Sequence, residues 1–246
     1  DKRIIVQGLG NVGYHAALFL SQEDGARITH VLERGGTVID ADGIDIMSLG
    51  KHMLETGGIA DFPGFTENGA EMLEAEADIL IPAAMESVID EQNAPRIRAP
   101  LIIEAANGPI TAAGDASLRD RGIIIIPDLY ANAGGVTVSY FEWIKNLTHI
   151  RFGRMQRRQS ENQFQALIHG IETMTGKEFP QTQHDTVVSG ATEIDLVRSG
   201  LEDTMRGAYD TISEVWNTDS RVPDLRTAAM LIAVGRVAHS YTSLGI

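Results

Sequence analysis

Apolar residues in this chain fall into two alternating kinds of run. Ile4-Ile5-Val6, Ile79-Leu80-Ile81-Pro82, Leu101-Ile102-Ile103 and Ile123-Ile124-Ile125-Ile126-Pro127 are short and continuous, and Arg27 to Leu32 is a further strand-like run. That is the pattern of strands buried on both faces of a parallel sheet. Between them the apolar positions recur at helical spacing: Val12, Ala16, Phe19 and Leu20, then residues 45–55, closed by Gly57-Gly58. Thr37-Val38-Ile39 lies in a short excursion between Gly35-Gly36 and Asp42-Gly43. Residues 136–148 continue as a helix whose Tyr140, Phe141 and Trp143 are expected mostly in the core. Residues 159–191 are polar, with weak periodicity at Phe164, Leu167, Ile168 and Ile171. Thr192-Glu193-Ile194-Asp195 has the form of a capping box. It opens a long helix with a stripe at Val197, Leu201, Met205, Ala208, Ile212 and Val215. Pro223-Asp224 starts a last helix with Leu225, Ala229, Ile232, Ala233 and Val237 inward. Alternating strands and helices predict an α/β chain with a doubly wound sheet, followed by C-terminal helices.

The first strand runs directly into Gly8-Leu9-Gly10-Asn11-Val12-Gly13, and a helix pattern follows at once. This is G-x-G-x-x-G with a strand before and a helix after, the setting in which it cradles a dinucleotide pyrophosphate. Gly8 permits the tight turn, Gly10 lets a phosphate approach the backbone, and Gly13 lets the helix pack close to the strand. The free N–H groups of the helix start, around Asn11 and Val12, face the phosphates. Twenty residues beyond Gly13 stands Glu33, at the end of the second strand. A carboxylate there suits the ribose hydroxyls of NAD, while Arg34 beside it suits the 2′-phosphate of NADP. NAD is the expected cofactor, with NADP possible. The bland alternative is a glycine turn that packs a helix on a strand and binds nothing.

Ligands of such sheets sit outside the carboxyl ends of the strands. Pro82-Ala83-Ala84, Glu104-Ala105-Ala106-Asn107-Gly108-Pro109 and Asp128 to Gly135 follow successive strands. Small residues beside single amides suit a planar ring lying on backbone, and Asn107 and Asn132 can each donate and accept hydrogen bonds. The organisation expected is a Rossmann-like core over 1–150, a peripheral segment over 151–191 and closing helices of the same domain over 192–246.

Charge and composition narrow the partners. The net charge is −14, and the acidity is uneven: residues 1–150 hold 10 Lys and Arg against 22 Asp and Glu, residues 151–246 hold 10 against 12. An acidic surface argues against nucleic acid. It also leaves phosphate binding to helix N-termini and backbone N–H groups. The four arginines Arg151, Arg154, Arg157 and Arg158 are read as a solvated or intersubunit helix face. The sequence has no apolar run long enough to span a membrane, and its Asp-Lys-Arg start is not that of a signal peptide. Cysteine is absent, which removes disulfides, thiolate chemistry and Cys-ligated zinc and fits the cytoplasm. The histidines form no ligand set, so no metal is expected.

Four stretches together are similar to a known family. They are Gly8 to Gly13; Asp78-Ile79-Leu80-Ile81-Pro82-Ala83-Ala84; Glu104-Ala105-Ala106-Asn107-Gly108-Pro109; and Pro127 through Trp143, with Asn132-Ala133-Gly134-Gly135-Val136-Thr137-Val138-Ser139 at its centre. They resemble glutamate dehydrogenase, nearest the subgroup that includes the animal enzymes, and Leu225-Arg226-Thr227-Ala228-Ala229 also fits. The resemblance implies reversible oxidative deamination of L-glutamate to 2-oxoglutarate and ammonia with NAD or NADP, in a homohexamer. It implies that Gly10, Asn11 and Val12 meet the pyrophosphate, Glu33 the adenosine ribose, and Ala83 and Ala84 the path of the cofactor. Asn107 and Asn132 fall to the nicotinamide side and Ser139 to the substrate carboxylate. In that family the catalytic lysine and aspartate lie in an upstream domain with a glycine-rich segment. Lys2, Lys51, Lys145 and Lys177 match no such position. No catalytic residue is therefore expected in this chain, which alone should be inactive and needs the missing domain to act on glutamate. The family's antenna insertion corresponds to residues 152–191, in shorter form. Two other readings are a leucine, phenylalanine or valine dehydrogenase, which shares the architecture, and a non-catalytic module that senses dinucleotide.

Overall fold

The computed structural model describes residues 2–67, 69–148, 154–188 and 192–245, the side chains of 148, 154–160, 185, 186 and 188 excepted. The chain forms two compact units, Asp1–Ala133 with Asp210–Ile246, and Gly134–Tyr209.

The first unit is built on a seven-stranded sheet. Its strands are β1 (Arg3–Gln7), β2 (Arg27–Glu33), β3 (Gly36–Ile39), β4 (Phe65–Thr66), β5 (Ile79–Pro82), β6 (Leu101–Ile103) and β7 (Ile124–Ile126), in the spatial order β4-β3-β2-β1-β5-β6-β7. β2, β1, β5, β6 and β7 run parallel, so their carboxyl ends share one edge. The order reverses between β1 and β5, which makes the gap between their carboxyl ends the switch point of the sheet. The sheet is mixed rather than purely parallel, because β3 and β4 pair antiparallel at one edge. The Thr37-Val38-Ile39 excursion is thus a strand of the sheet.

Both faces are covered, as continuous apolar strands require. Ile4, Val6, Val31 and Ile81 point to the side closed by α1 (Asn11–Gln22) and α2 (Ile46–Thr56). Ile5, Leu80, Ile102 and Ile125 point to the side closed by Leu118 of α3 (Ala112–Asp120). Helix α2 starts at Asp45, whose side chain accepts from the Ser48 N–H, and ends at Gly57. On α1 the buried residues are Gly13 and Ala17; Val12 and Phe19 of the expected stripe are exposed. Small residues take the inner face because this helix lies close against the glycine turn.

After β7 come α4 (Asp128–Ala131) and α5 (Ala133–Thr148), so Asn132 is a cap between two helices and not part of a loop. The chain then enters the second unit: most of α5, α6 (Arg154–Thr175), α7 (Gln181–Val188) and the first part of α8 (Glu193–Thr218). The weakly periodic 159–191 stretch is therefore largely helical. The expected arginine face at Arg151, Arg154, Arg157 and Arg158 lies outside the described side chains. The Thr192 box is formed in both directions: the Thr192 N–H and hydroxyl donate to Asp195 Oδ2, and the Asp195 N–H points back at Thr192 Oγ1. Within this unit Gly200 abuts the Phe141 ring, and Gly134 abuts Leu201 and Met205. The face that α5 presents to α8 thus includes Gly134 and Phe141, and Lys145, which donates to Glu193. Tyr140 and Trp143 sit off that face, stacked on each other and 54% and 56% exposed. The expectation that most of the aromatic cluster is core fails for these two.

Back in the first unit, Ile212 of α8 packs with Val222, Leu225, Ala228 and Ala229 at the start of α9 (Leu225–Leu244). Asp224 caps α9 by accepting from the Thr227 N–H at 2.6 Å. Ala233 and Val237, expected inward, are exposed, because the buried face of α9 ends near Ile232. Among the described residues no helix is long and apolar enough to cross a membrane.

Candidate functional site

The glycine turn occupies the switch point. Gly8 has φ +86°, and a Cβ there would lie 2.7 Å from Ala84 Cβ. Two chain segments, one after β1 and one after β5, therefore meet with no room for a side chain. A Cβ on Gly13 would lie 1.9 Å from the Gly8 carbonyl oxygen and 3.3 Å from Ala83 Cβ. Gly10 differs: a Cβ there would meet nothing within 4 Å. The turn is tight where helix and strand touch and open on its outer side, where the N–H groups of the first turn of α1 have no carbonyl four residues back to bond. Asn11 and Val12 are exposed at that end.

Glu33, at the end of β2, is tied to this turn. Its Oε1 accepts from the Leu9 N–H at 2.5 Å, and its Oε2 from the Arg34 N–H at 3.3 Å. The carboxylate thus spans the ends of β1 and β2. A cleft of about 690 Å³ opens here, lined among others by Gly8, Gly10, Glu33, Arg34, Ala83 and Ala84. Its size falls inside the roughly 300–1,000 Å³ typical of ligand sites. Glu67, Gly69, Ala70 and Met85 also line it. Nothing in their sequence spacing marks them.

Farther along the same edge the two asparagines meet. The Asn132 Nδ2 donates to Asn107 Oδ1 at 2.8 Å. Ser139 belongs to the second unit, where its exposed hydroxyl donates to the Gly135 carbonyl at 3.0 Å.

Beneath the asparagines lies a charged cluster that the sequence does not announce. Glu104, just past β6, is fully buried. Both its oxygens accept from Arg226 Nη2 at 2.8 Å, and Oε2 also accepts from the Asp128 N–H at 2.8 Å. Arg226 Nη1 donates to Asp128 Oδ1 at 3.1 Å. Asp128 in turn accepts from the Gly108 and Leu129 N–H groups at 2.8 and 2.7 Å. Arg119 joins Asp115 and Asp224, each at 2.8 Å. Burial pushes the Glu104 carboxyl up from its ordinary range, against the pull of the Asp128 N–H and the Arg226 guanidinium. Its three contacts all require an acceptor, so the geometry is that of the ionised form. The one available signal was a lone acid closing an apolar strand.

Residues 1–199 match the model of the Glutamate/Leucine/Phenylalanine/Valine dehydrogenase family. The chain belongs to that family. Among the curated members of this dehydrogenase family, the probable glutamate dehydrogenase of Sinorhizobium fredii is 49% identical over 236 residues, covering 95% of the chain and 53% of that protein. The mitochondrial glutamate dehydrogenase of Dictyostelium discoideum is 46% identical over 246 residues, covering 99% and 48%. The chain thus spans about half the length of the curated relatives it matches. Its fold is also that of the hetero-hexameric glutamate dehydrogenase of Thermus thermophilus in its leucine-bound form, at TM-score 0.75 and 23% identity over 100% of this chain and 48% of that one. The doubly wound α/β reading holds for this family member, with the antiparallel edge added.

Proposed function

We propose that this chain is the cofactor-holding half of a glutamate dehydrogenase. The observation that carries the reading is the glycine turn at the switch point, with Gly10 open to approach and Glu33 tied beside it. The space outside Gly10 and the cleft beside it fit a dinucleotide. When bound, the nicotinamide supplies hydride transfer to or from the substrate carbon. The N–H groups at Gly10, Asn11 and Val12 hold the pyrophosphate, helped by the positive end of the α1 dipole. Gly8 and Gly13 keep that turn closed on itself. Glu33 accepts from the adenosine ribose hydroxyls while holding Leu9, and its charge favours NAD over NADP. Ala83 and Ala84 present a flat, side-chain-poor wall. Asn107 and Asn132 orient the nicotinamide end. Ser139 donates to the substrate carboxylate. L-glutamate and 2-oxoglutarate are the substrates, and the proton-handling groups come from the part of the protein that the relatives carry outside this match. Hexameric assembly and a cytoplasmic location belong to the same proposal.

Two results are expected. The 246-residue chain binds NADH in a fluorescence titration but gives no turnover with glutamate and NAD in a steady-state assay. Absence of binding defeats the reading, and measurable turnover defeats its claim that the proton-handling groups lie elsewhere. Gly10→Val keeps the fold, because the backbone is at φ −68° and the new side chain meets open space. The branched side chain takes the room of the pyrophosphate, so affinity drops at least tenfold, about 1.4 kcal/mol. Calorimetry with a normal melting curve checks this; an unchanged Kd means that the cofactor lies elsewhere.

A further inference from the structure

We propose that Arg226 is a positioning residue for the nicotinamide end of the cofactor, acting through Glu104 and Asp128 on the Asn107–Asn132 pair. The inference rests on the dinucleotide reading above and deepens it.

The two asparagines come from different strand ends, after β6 and after β7, 25 residues apart. Each is tied to the same residue, Asp128, one through its carboxylate and the next residue's N–H, the other through its backbone carbonyl. Asp128 Oδ2 fixes the N–H of Gly108, the residue next to Asn107. Its backbone carbonyl accepts the N–H of Asn132 at 2.8 Å. Asp128 is itself held from two sides: its N–H by Glu104 and its Oδ1 by Arg226. Arg226 then closes the triangle by engaging both oxygens of Glu104. A planar guanidinium spanning two carboxylates fixes a distance and an angle, which a lysine point charge cannot do.

A purely stabilising role fits poorly. A buried ion pair loses most of its Coulombic gain to desolvation, and apolar residues of like volume often serve stability as well. Here a fully buried carboxylate and its cation are set beneath the two amides that share a hydrogen bond. The cation itself is anchored. Its Nε lies 3.6 Å from Asp115, and Arg119 bridges Asp115 to Asp224 two residues before it. The start of α9 is thereby locked to α3, and the fork of Arg226 is aimed from a rigid base. The chain has joined residues 122 positions apart to hold one pair of amides in register.

The test separates the two halves of the cofactor. ADP-ribose carries the adenosine, pyrophosphate and ribose but no nicotinamide; NADH carries all. In the full chain, Arg226→Lys keeps the positive charge and loses the fork. Glu104→Gln keeps the shape and the acceptor for the Asp128 N–H, and loses one acceptor for Arg226. Both variants should bind ADP-ribose within twofold of wild type and NADH about tenfold more weakly. A general loosening of the fold would weaken both ligands together. Equal loss for the two ligands, or no loss of NADH affinity in either variant, overturns the proposal. If wild type binds neither ligand, the dinucleotide reading itself fails. If Arg226→Lys does not fold, Glu104→Gln carries the test with the same two titrations.

Discussion

Gly13→Ala is expected to lower the melting temperature and to abolish tight dinucleotide binding. Two effects of opposite sign compete. Replacing glycine by alanine within a helix favours the helix by about 1 kcal/mol. The new methyl, however, would stand 1.9 Å from the Gly8 carbonyl oxygen and 3.0 Å from its carbon. Both are backbone atoms, and Gly8 is itself wedged against Ala84, so the strain cannot leave through a rotamer change. Forced overpacking costs roughly 1–3 kcal/mol where neighbours can relax and more where they cannot. The clash wins by about 2 kcal/mol, and the melting temperature of a chain this size falls by about 4–8 °C. Relief comes only by moving α1 off the turn, and that displaces the N–H groups proposed to hold the pyrophosphate. Gly170→Ala supplies the contrast. It lies in α6 with nothing within 4 Å of its Cβ position. There the helix-propensity gain stands unopposed, and stability rises by about 0.5–1 kcal/mol. Thermal melts of both variants by circular dichroism, with an NADH titration of Gly13→Ala, check the pair. A Gly13→Ala protein that melts and binds like wild type would mean that α1 does not press on the glycine turn.

What could be seen in advance follows from how each feature is encoded. Of the five parallel strands, β1, β5, β6 and β7 are legible because burial on both faces leaves a continuous apolar run; β2 has its run interrupted by Thr29 and His30. The glycine turn is legible because Gly8 and Gly13 leave no room for a Cβ, and Gly10 stands between them at the spacing that a pyrophosphate site calls for. β4 is not legible. It is two residues long, and Phe65 and Thr66 find their place only by pairing with Val38 and Thr37. The inward face of α1 misleads for a physical reason: where a helix must approach a turn closely, its buried residues are the smallest, and apolar size points to the wrong stripe. Tyr140, Trp143 and Val237 mislead in the opposite direction, being large, apolar and exposed. The Glu104–Arg226 pair is hidden most deeply. Each residue alone is an ordinary charge, and only the sheet, by bringing the end of β6 to the start of α9, turns the two into a unit.

Glu33→Ala should move cofactor preference toward NADP. The structure gives this carboxylate two functions that the substitution removes together: it accepts from the Leu9 N–H, and it places a negative charge at the end of β2. The charge repels a 2′-phosphate by an amount on the order of 1–4 kcal/mol at about 4 Å. Glu33 is partly exposed, so solvent screening sets the lower part of that range. The ratio of the NAD to the NADP dissociation constant is therefore expected to rise by about tenfold, the equivalent of about 1.4 kcal/mol. Loss of the Leu9 tether and of the ribose bonds weakens NAD in absolute terms as well. Glu33→Gln separates the two functions. The amide oxygen can still accept from Leu9, while the charge is gone. It should shift the ratio as Glu33→Ala does, yet weaken NAD less. Adding Arg34→Ala to Glu33→Ala removes the cation that the phosphate would meet, and the gain for NADP should vanish. Calorimetric titration of wild type and the three variants with both cofactors decides the matter. If the ratio stays where it was in Glu33→Ala and Glu33→Gln alike, the carboxylate serves only to hold Leu9, and the adenosine ribose is held elsewhere in the cleft, which Glu67 also lines.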